Sequence, residues 1–196
     1  TPLRHGFSGG SALLRLALRR RIPLHRIMID ILVTSDGWLR FGGLRFRCAL
    51  GKGGCKPEAD KREGDGATPL GRYPLRQVMY RPDRLQAPAT RLPIRPLDPL
   101  DGWCDDPADP AYNRPVKLPY AASHEKLWRK DHVYDIIVEL GHNDDPPIPG
   151  LGSAIFMHVA RPDYTGTEGC IALALPDLQA LLAAVPARAA VQILRA

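Results

Sequence analysis

Alternating apolar and polar positions recur along the chain and predict short strands. In residues 44–50, apolar side chains alternate with Arg45 and Arg47, which places Cys48 on the buried face of a half-exposed strand. Residues 133–140 alternate in the same way. Further strands are predicted at residues 27–33, 38–41, 73–79, 154–159 and 191–194.

The apolar run at residues 154–159 predicts a central strand. On a period of two, Phe156 and His158 share one face of that strand. A C-terminal helix is predicted after Pro176, because apolar residues then recur with helical spacing at Leu178, Leu181, Leu182 and Val185. We expect this helix to pack on the sheet behind residues 153–175.

Turn-forming residues define the fold class. Twenty prolines and eighteen glycines in 196 residues favour short strands over a helical bundle. We expect a mainly β domain, a sandwich or a curved, barrel-like sheet, with the C-terminal helix and a short helix capped by Ser123. Residues 81–130 lack periodicity but carry aromatic residues, so we expect an ordered cap or insert over a cleft.

The formal net charge of +6 depends largely on five arginines near the N-terminus. The remaining chain is nearly balanced in charge, so nucleic acid is not an expected partner. Residues 1–26 are predicted to be a basic, mobile extension without the pattern of a signal peptide, and residues 27–196 to be one domain. No apolar run reaches the roughly 18 residues that a transmembrane helix needs.

The four cysteines, Cys48, Cys55, Cys104 and Cys170, show no CxxC pair and no metal-ligand spacing with the histidines. A structural zinc site is therefore not expected. If Cys170 is a nucleophile, the other three can form at most one disulfide, and the sequence does not choose the pair.

The candidate chemistry lies in residues 153–175, where His158 ends the apolar run and Cys170 follows Gly169. A thiol becomes a strong nucleophile when an imidazole accepts its proton and backbone N–H groups bind the resulting oxyanion. His158 is the candidate base, and the N–H groups of Gly169 and Cys170 are the candidate oxyanion donors. Each also has a simpler interpretation, as a buried cysteine or a core histidine.

This stretch resembles the active-site signature of the YkuD-type L,D-transpeptidases, in which a histidine ends a strand and a Ser/Thr-x-Gly-Cys turn carries the nucleophile. Here the turn is Thr167-Glu168-Gly169-Cys170, and residues 68–73 resemble the family's Thr-Pro-x-Gly-x-aromatic turn. Two positions differ, because Glu168 and Ala172 stand where the commonest signature has histidine and arginine. The loop after His158 is also shorter than usual.

The resemblance implies a cysteine acyltransferase that acts on peptidoglycan stem peptides. Cys170 would form an acyl-enzyme with release of terminal D-alanine, and transfer to an amine would give a 3-3 cross-link. The chemistry needs no cofactor and no metal, and the location implied is the bacterial cell envelope or periplasm. A backbone carbonyl near Val159 or Ala160 would hold the tautomer of His158. Candidate substrate contacts are Glu168, Thr167, His142, Tyr164, Arg161 and Trp103. The oligomeric state is not predicted.

Three alternatives stay open. Water as acceptor would make the protein an L,D-carboxypeptidase. A wall-binding domain could keep the fold without activity. An activated thiol should react with an electrophile at a pH well below the usual thiol pKa of about 8.5, whereas the buried thiol of such a domain should not. A metal-dependent hydrolase would use His142, His158 and Asp144.

Overall fold

The computed structural model describes residues 29–196, and the predicted basic extension at residues 1–26 lies outside them. Within the described part, the chain forms thirteen β-strands, one α-helix and a short 3₁₀ turn at Glu58–Asp60. In chain order the elements are β1 (Ile29–Thr34), β2 (Trp38–Phe41), β3 (Leu44–Ala49), β4 (Cys55–Pro57), β5 (Thr68–Tyr80), β6 (Ile94–Pro96), β7 (Asp101–Cys104), β8 (Pro115–Lys117), β9 (His124–Lys126), β10 (Ile136–Leu140), β11 (Phe156–Val159), β12 (Ile171–Leu173), α1 (Leu175–Ala184) and β13 (Ala189–Leu194).

A ten-stranded sheet closes on itself through the long strand β5. The strand order is β10-β11-β12-β3-β2-β1-β13-β5-β4, and β5 also pairs with β10 and β6. The first part of β5 pairs with β13 through residues 71–74, and its later part pairs with β10 through residues 75–80. The predicted mainly β fold with a curved, barrel-like sheet is therefore confirmed.

The main core fills the inside of this curved sheet and the contact with α1. On β11, Met157 and Val159 belong to this core, while Phe156 points to a second apolar cluster on the other face. The predicted division of this strand into two faces is confirmed. The C-terminal helix is also confirmed, with Pro176 in its first turn and Leu178, Leu181 and Leu182 buried.

A separate sheet with the order β8-β7-β9 lies within residues 101–126. Its buried carboxylate Asp101 accepts hydrogen bonds from Arg95 Nη1 at 2.6 Å and Lys117 Nζ at 2.8 Å. Trp103 and Leu127 pack from this side against Phe156 in the second apolar cluster. This cluster connects the small sheet to β11.

The short helix predicted near Ser123 is wrong. Residues 124–126 form β9, which pairs with β7 in antiparallel register. Leu127, directly after β9, is fully buried in the second cluster. Pairing with β7 and burial of Leu127 therefore override the local capping signal.

None of the helices in residues 29–196 is long and apolar enough to cross a membrane. All four cysteines are free thiols, so no disulfide joins Cys48, Cys55 and Cys104. The assignment of residues 27–196 as one domain with a cap at 81–130 stays a prediction.

Candidate active site

Two neighbouring strands position Cys170. Strands β11 and β12 pair in parallel, with Met157 opposite Ile171, so Cys170 lies directly before β12 and beside Phe156. The Phe156 N–H donates a hydrogen bond to Cys170 Sγ at 3.3 Å, and the thiol donates to the Ala154 carbonyl oxygen at 3.3 Å. The sulfur is therefore fixed by backbone groups.

The imidazole of His158 is held in one tautomer. Its Nδ1 lies 3.0 Å from the Val159 carbonyl oxygen, and since a carbonyl only accepts, Nδ1 carries the proton and Nε2 is a free acceptor. The family resemblance implied a backbone carbonyl near Val159 or Ala160 in this role, and the structure has that of Val159. The Tyr134 ring packs edge-on against the imidazole, with centroids 5.3 Å apart.

The Thr167 hydroxyl stabilises the turn before Cys170 through two hydrogen bonds. Thr167 Oγ1 donates to the Cys170 carbonyl oxygen at 2.7 Å and accepts from the Gly169 N–H at 3.2 Å. Of the two predicted oxyanion donors, the Gly169 N–H is therefore already occupied. The Cys170 N–H donates to no acceptor within residues 29–196, so it is the donor that can serve an oxyanion.

Gly169 is required by the geometry of this turn. Its φ is +127°, a conformation that L side chains rarely adopt, and a Cβ there would lie 2.8 Å from the Ala67 carbonyl oxygen. The nucleophile thus depends on close backbone approach between residues 67 and 169.

Electrostatics keep both groups neutral at pH 7. Burial, with the charge of Glu125 next, raises the pKa of the Cys170 thiol to about 12, although the Phe156 N–H and Lys61 act in the opposite direction. Burial lowers the pKa of His158 to about 4. In the part of the chain that the structure covers, no hydrogen bond joins Cys170 Sγ to His158.

Activation by His158 predicts a thiolate at a pH well below the usual thiol pKa. The structure instead has a neutral Cys170 thiol. The arrangement instead suits a neutral thiol that transfers its proton as it attacks.

Cys170 and His158 open into one cleft with a volume of about 580 Å³. One wall comes from the large sheet and its loops, and the other from the small sheet and the loop that follows it. The lining residues are Lys61, Glu63, Gly64, Asp105, His124, Glu125, Lys126, Arg129, Val133, Tyr134, Ser153, Ala154, His158, Arg161, Gly166, Thr167, Glu168 and Cys170.

The family model of the YkuD L,D-transpeptidase catalytic domain matches residues 30–193, which is most of the chain. This protein belongs to the YkuD L,D-transpeptidase family. No curated protein and no solved structure matches the chain. Membership supports L,D-transpeptidase-type activity in general and agrees with the curved sheet described above.

Several predicted site residues meet in the cleft of this L,D-transpeptidase domain. Besides Cys170 and His158, these are Thr167, Glu168 and Arg161. Glu168 is exposed and pairs with Lys52 Nζ at 2.5 Å. Its position lets it contact a bound substrate, and its role stays a prediction.

Three predicted substrate contacts do not line the cleft. Trp103 is 4% exposed, because its ring packs on Phe156 and its indole N–H donates to Asn113 Oδ1 at 2.9 Å. His142 is 2% exposed and donates through Nε2 to the Leu151 carbonyl oxygen at 3.1 Å. The Tyr164 ring stacks on the Arg47 guanidinium, with Arg47 Cζ 4.5 Å from the ring centroid.

The residues considered for a metal site do not come together. His142 is packed against Tyr73, and Asp144 accepts a hydrogen bond from Arg76 Nε at 2.7 Å, whereas His158 lies in the cleft. Within residues 29–196, no group of three or more His, Cys, Asp or Glu side chains is placed to hold a metal ion.

Sequence reasoning did not place charged side chains around Cys170. Lys61 is 2% exposed, and its ammonium donates to Asp65 Oδ1 and to the Arg62 carbonyl oxygen, each at 2.7 Å. Glu125 and Asp105 supply carboxylates from the other side of the cleft. No local motif marks these residues, because they come from three separate segments of the chain.

Proposed function

We propose that the protein is a cysteine acyltransferase that acts on peptidoglycan stem peptides through a Cys170 acyl-enzyme. Membership of a family of bacterial cell-wall enzymes supports the substrate class and a location in the cell envelope. The observation that carries the proposal is the free Nε2 of His158 in the same cleft as Cys170 Sγ, with the other ring nitrogen, Nδ1, donating to the Val159 carbonyl oxygen.

In the first step, Cys170 Sγ attacks the carbonyl carbon of the third residue of the stem peptide while His158 Nε2 accepts the thiol proton. The Cys170 N–H binds the oxygen that becomes negative. The C–N bond to terminal D-alanine then breaks, and the imidazolium returns the proton to the leaving amine. A thioester on Cys170 and free D-alanine result.

In the second step, an amine from a neighbouring stem attacks the thioester carbon and forms a 3-3 cross-link. If water attacks instead, the product is a tripeptide and the protein is an L,D-carboxypeptidase. Both reactions share the first step, so only the product distinguishes them.

The test is incubation of the protein with a disaccharide tetrapeptide, followed by mass spectrometry of protein and products. We expect an acyl adduct on Cys170, release of D-alanine and a cross-linked dimer, with tripeptide as the carboxypeptidase product. Cys170→Ala should abolish the adduct and both products.

Cys48→Ala is the matched control. Cys48 is also a buried thiol, and burial raises its pKa to about 12, but it lies on β3 and does not line the cleft. Turnover by Cys170→Ala at the rate of the parent would exclude the mechanism. Absence of any adduct in the parent would favour a wall-binding domain without activity.

A further inference from the structure

The wall that faces Cys170 carries a carboxyl group that the mechanism above does not use. Glu125 lies in the middle of β9 and lines the cleft. Its Oε1 accepts a hydrogen bond from the Tyr134 hydroxyl at 2.6 Å. Tyr134 is 5% exposed and packs edge-on against both Phe156 and His158, so its hydroxyl is fixed. One oxygen of Glu125 is therefore held in a defined place.

The other oxygen of Glu125, Oε2, is free to accept a hydrogen bond from a ligand in the cleft. Within the described residues, Glu125 forms no salt bridge, and Tyr134 is its one hydrogen-bonding partner. The nearby Arg129 forms no salt bridge with it, since its Nε and Nη2 donate to the two oxygens of Asp131 at 2.8 and 2.7 Å. A half-buried carboxylate without a direct ion pair favours a positively charged ligand.

Two further observations describe the charge between this wall and the nucleophile. The charge of Glu125 raises the pKa of the Cys170 thiol, and both side chains line the same cleft. Asp105 lines the same wall, and its buried Oδ1 has no hydrogen-bonding partner in residues 29–196. Burial, with the charge of Asp105 in addition, raises the pKa of Glu125, while the Tyr134 hydroxyl and Arg129 lower it.

We propose that Glu125 binds the ammonium group of the acceptor and accepts its proton, so that the thioester is transferred to an amine in preference to water. This assignment rests on the proposed function, because it concerns the second step of that reaction. Tyr134 is the positioning residue that aims the carboxylate.

Two protons leave the acceptor nitrogen in this step. The acceptor ammonium gives one proton to Glu125, and the neutral amine attacks the thioester carbon with its lone pair. The C–N bond forms and the C–S bond breaks. The second amine proton passes through His158 Nε2 to the sulfur, which restores the Cys170 thiol, and Glu125 loses its proton to solvent.

The experiment measures the ratio of amide product to hydrolysed tripeptide, with the full chain, a disaccharide tetrapeptide donor and an amine acceptor. We expect Glu125→Gln to lower this ratio by about tenfold or more, the size of one lost charged hydrogen bond. Tyr134→Phe should lower this ratio less, because the Glu125 carboxylate remains but loses the hydrogen bond that orients it. The matched control is Glu139→Gln, which removes a carboxylate on β10, bound by Gln77 and outside the cleft.

The pH dependence separates ligand binding from a merely structural role. In the parent, the ratio should fall as the pH drops and Glu125 becomes protonated, whereas in Glu125→Gln it should not change over the same range. An unchanged ratio in Glu125→Gln, with the Cys170 adduct still formed, overturns this assignment alone. Absence of the adduct in the parent overturns the proposed function and this assignment with it.

Discussion

The wall of the cleft that carries Cys170 belongs to the ten-stranded sheet, whereas the wall that carries Glu125 combines a three-stranded sheet with a loop, both held by charged side chains. On the first wall, β11 lies between β10 and β12, and backbone groups hold the sulfur. On the second, Arg84 donates to the carbonyl oxygens of Lys130 and Asp131 and to the carboxylate of Asp135. Asp101 holds the small sheet in a similar way.

The two walls should therefore differ in the substitutions that they tolerate. Backbone ladders fix atoms whatever the side chains are, so the nucleophile should be sensitive to steric changes. Charged contacts can be lost one at a time, so the opposite wall should be sensitive to neutralisation.

Replacing Gly169 by Ala should reduce transfer activity on the order of 100-fold, because the new Cβ meets the Ala67 carbonyl oxygen and displaces the turn. Initial rates of D-alanine release measure the effect. The control is Gly42→Ala, which also has a positive φ but has no atom within 4 Å of its Cβ. Equal activities of the two variants would show that steric fit at Gly169 is unimportant.

Neutralising Asp101 with Asn should cost about 2 kcal/mol of the free energy of unfolding, because Arg95 and Lys117 lose a buried charged acceptor. Hydrogen exchange should rise in residues 101–126 more than in β11. Asp30→Asn removes an exposed partner of Arg72 and should cost less than about 0.5 kcal/mol. A uniform rise in exchange across both sheets would argue against separately held walls.

The pH profile of kcat/KM should show an acid limb near pH 4. Burial lowers the pKa of His158 to about 4, and below that pH the protonated imidazole no longer accepts the thiol proton. The rate should fall about tenfold for each pH unit below the limb and stay level from about pH 5 to 9. Circular dichroism checks that the fold persists at each pH. A limb between pH 6 and 9 would instead indicate a thiolate and imidazolium pair.

Changing Glu168 to Gln should shift the melting temperature by less than about 2 °C, because its ion pair with Lys52 is exposed at both ends. Differential scanning calorimetry measures the shift. A much larger shift would mean that this ion pair, and not only Thr167, holds the turn before Cys170.

The sequence predicted the first wall better than the second for a physical reason. Alternation along β3 and the apolar runs of β10 and β11 report burial, and His158 and Cys170 lie within a single stretch of 13 residues. The second wall has no comparable signal. Glu125 and Tyr134 become partners only because β9 pairs with β7 and because Leu127 is buried beside Phe156.

Strand β13 affects the order in which the protein can fold. It lies between β1 and β5, and Ile31 pairs with Val191 near the opposite end of the chain. During synthesis, β13 therefore emerges after every other strand described here, yet the curved sheet is open between β1 and β5 until it arrives. Because such distant pairing is slow, we expect the ribosome-bound chain to expose unpaired edges of β1 and β5 until β13 has emerged.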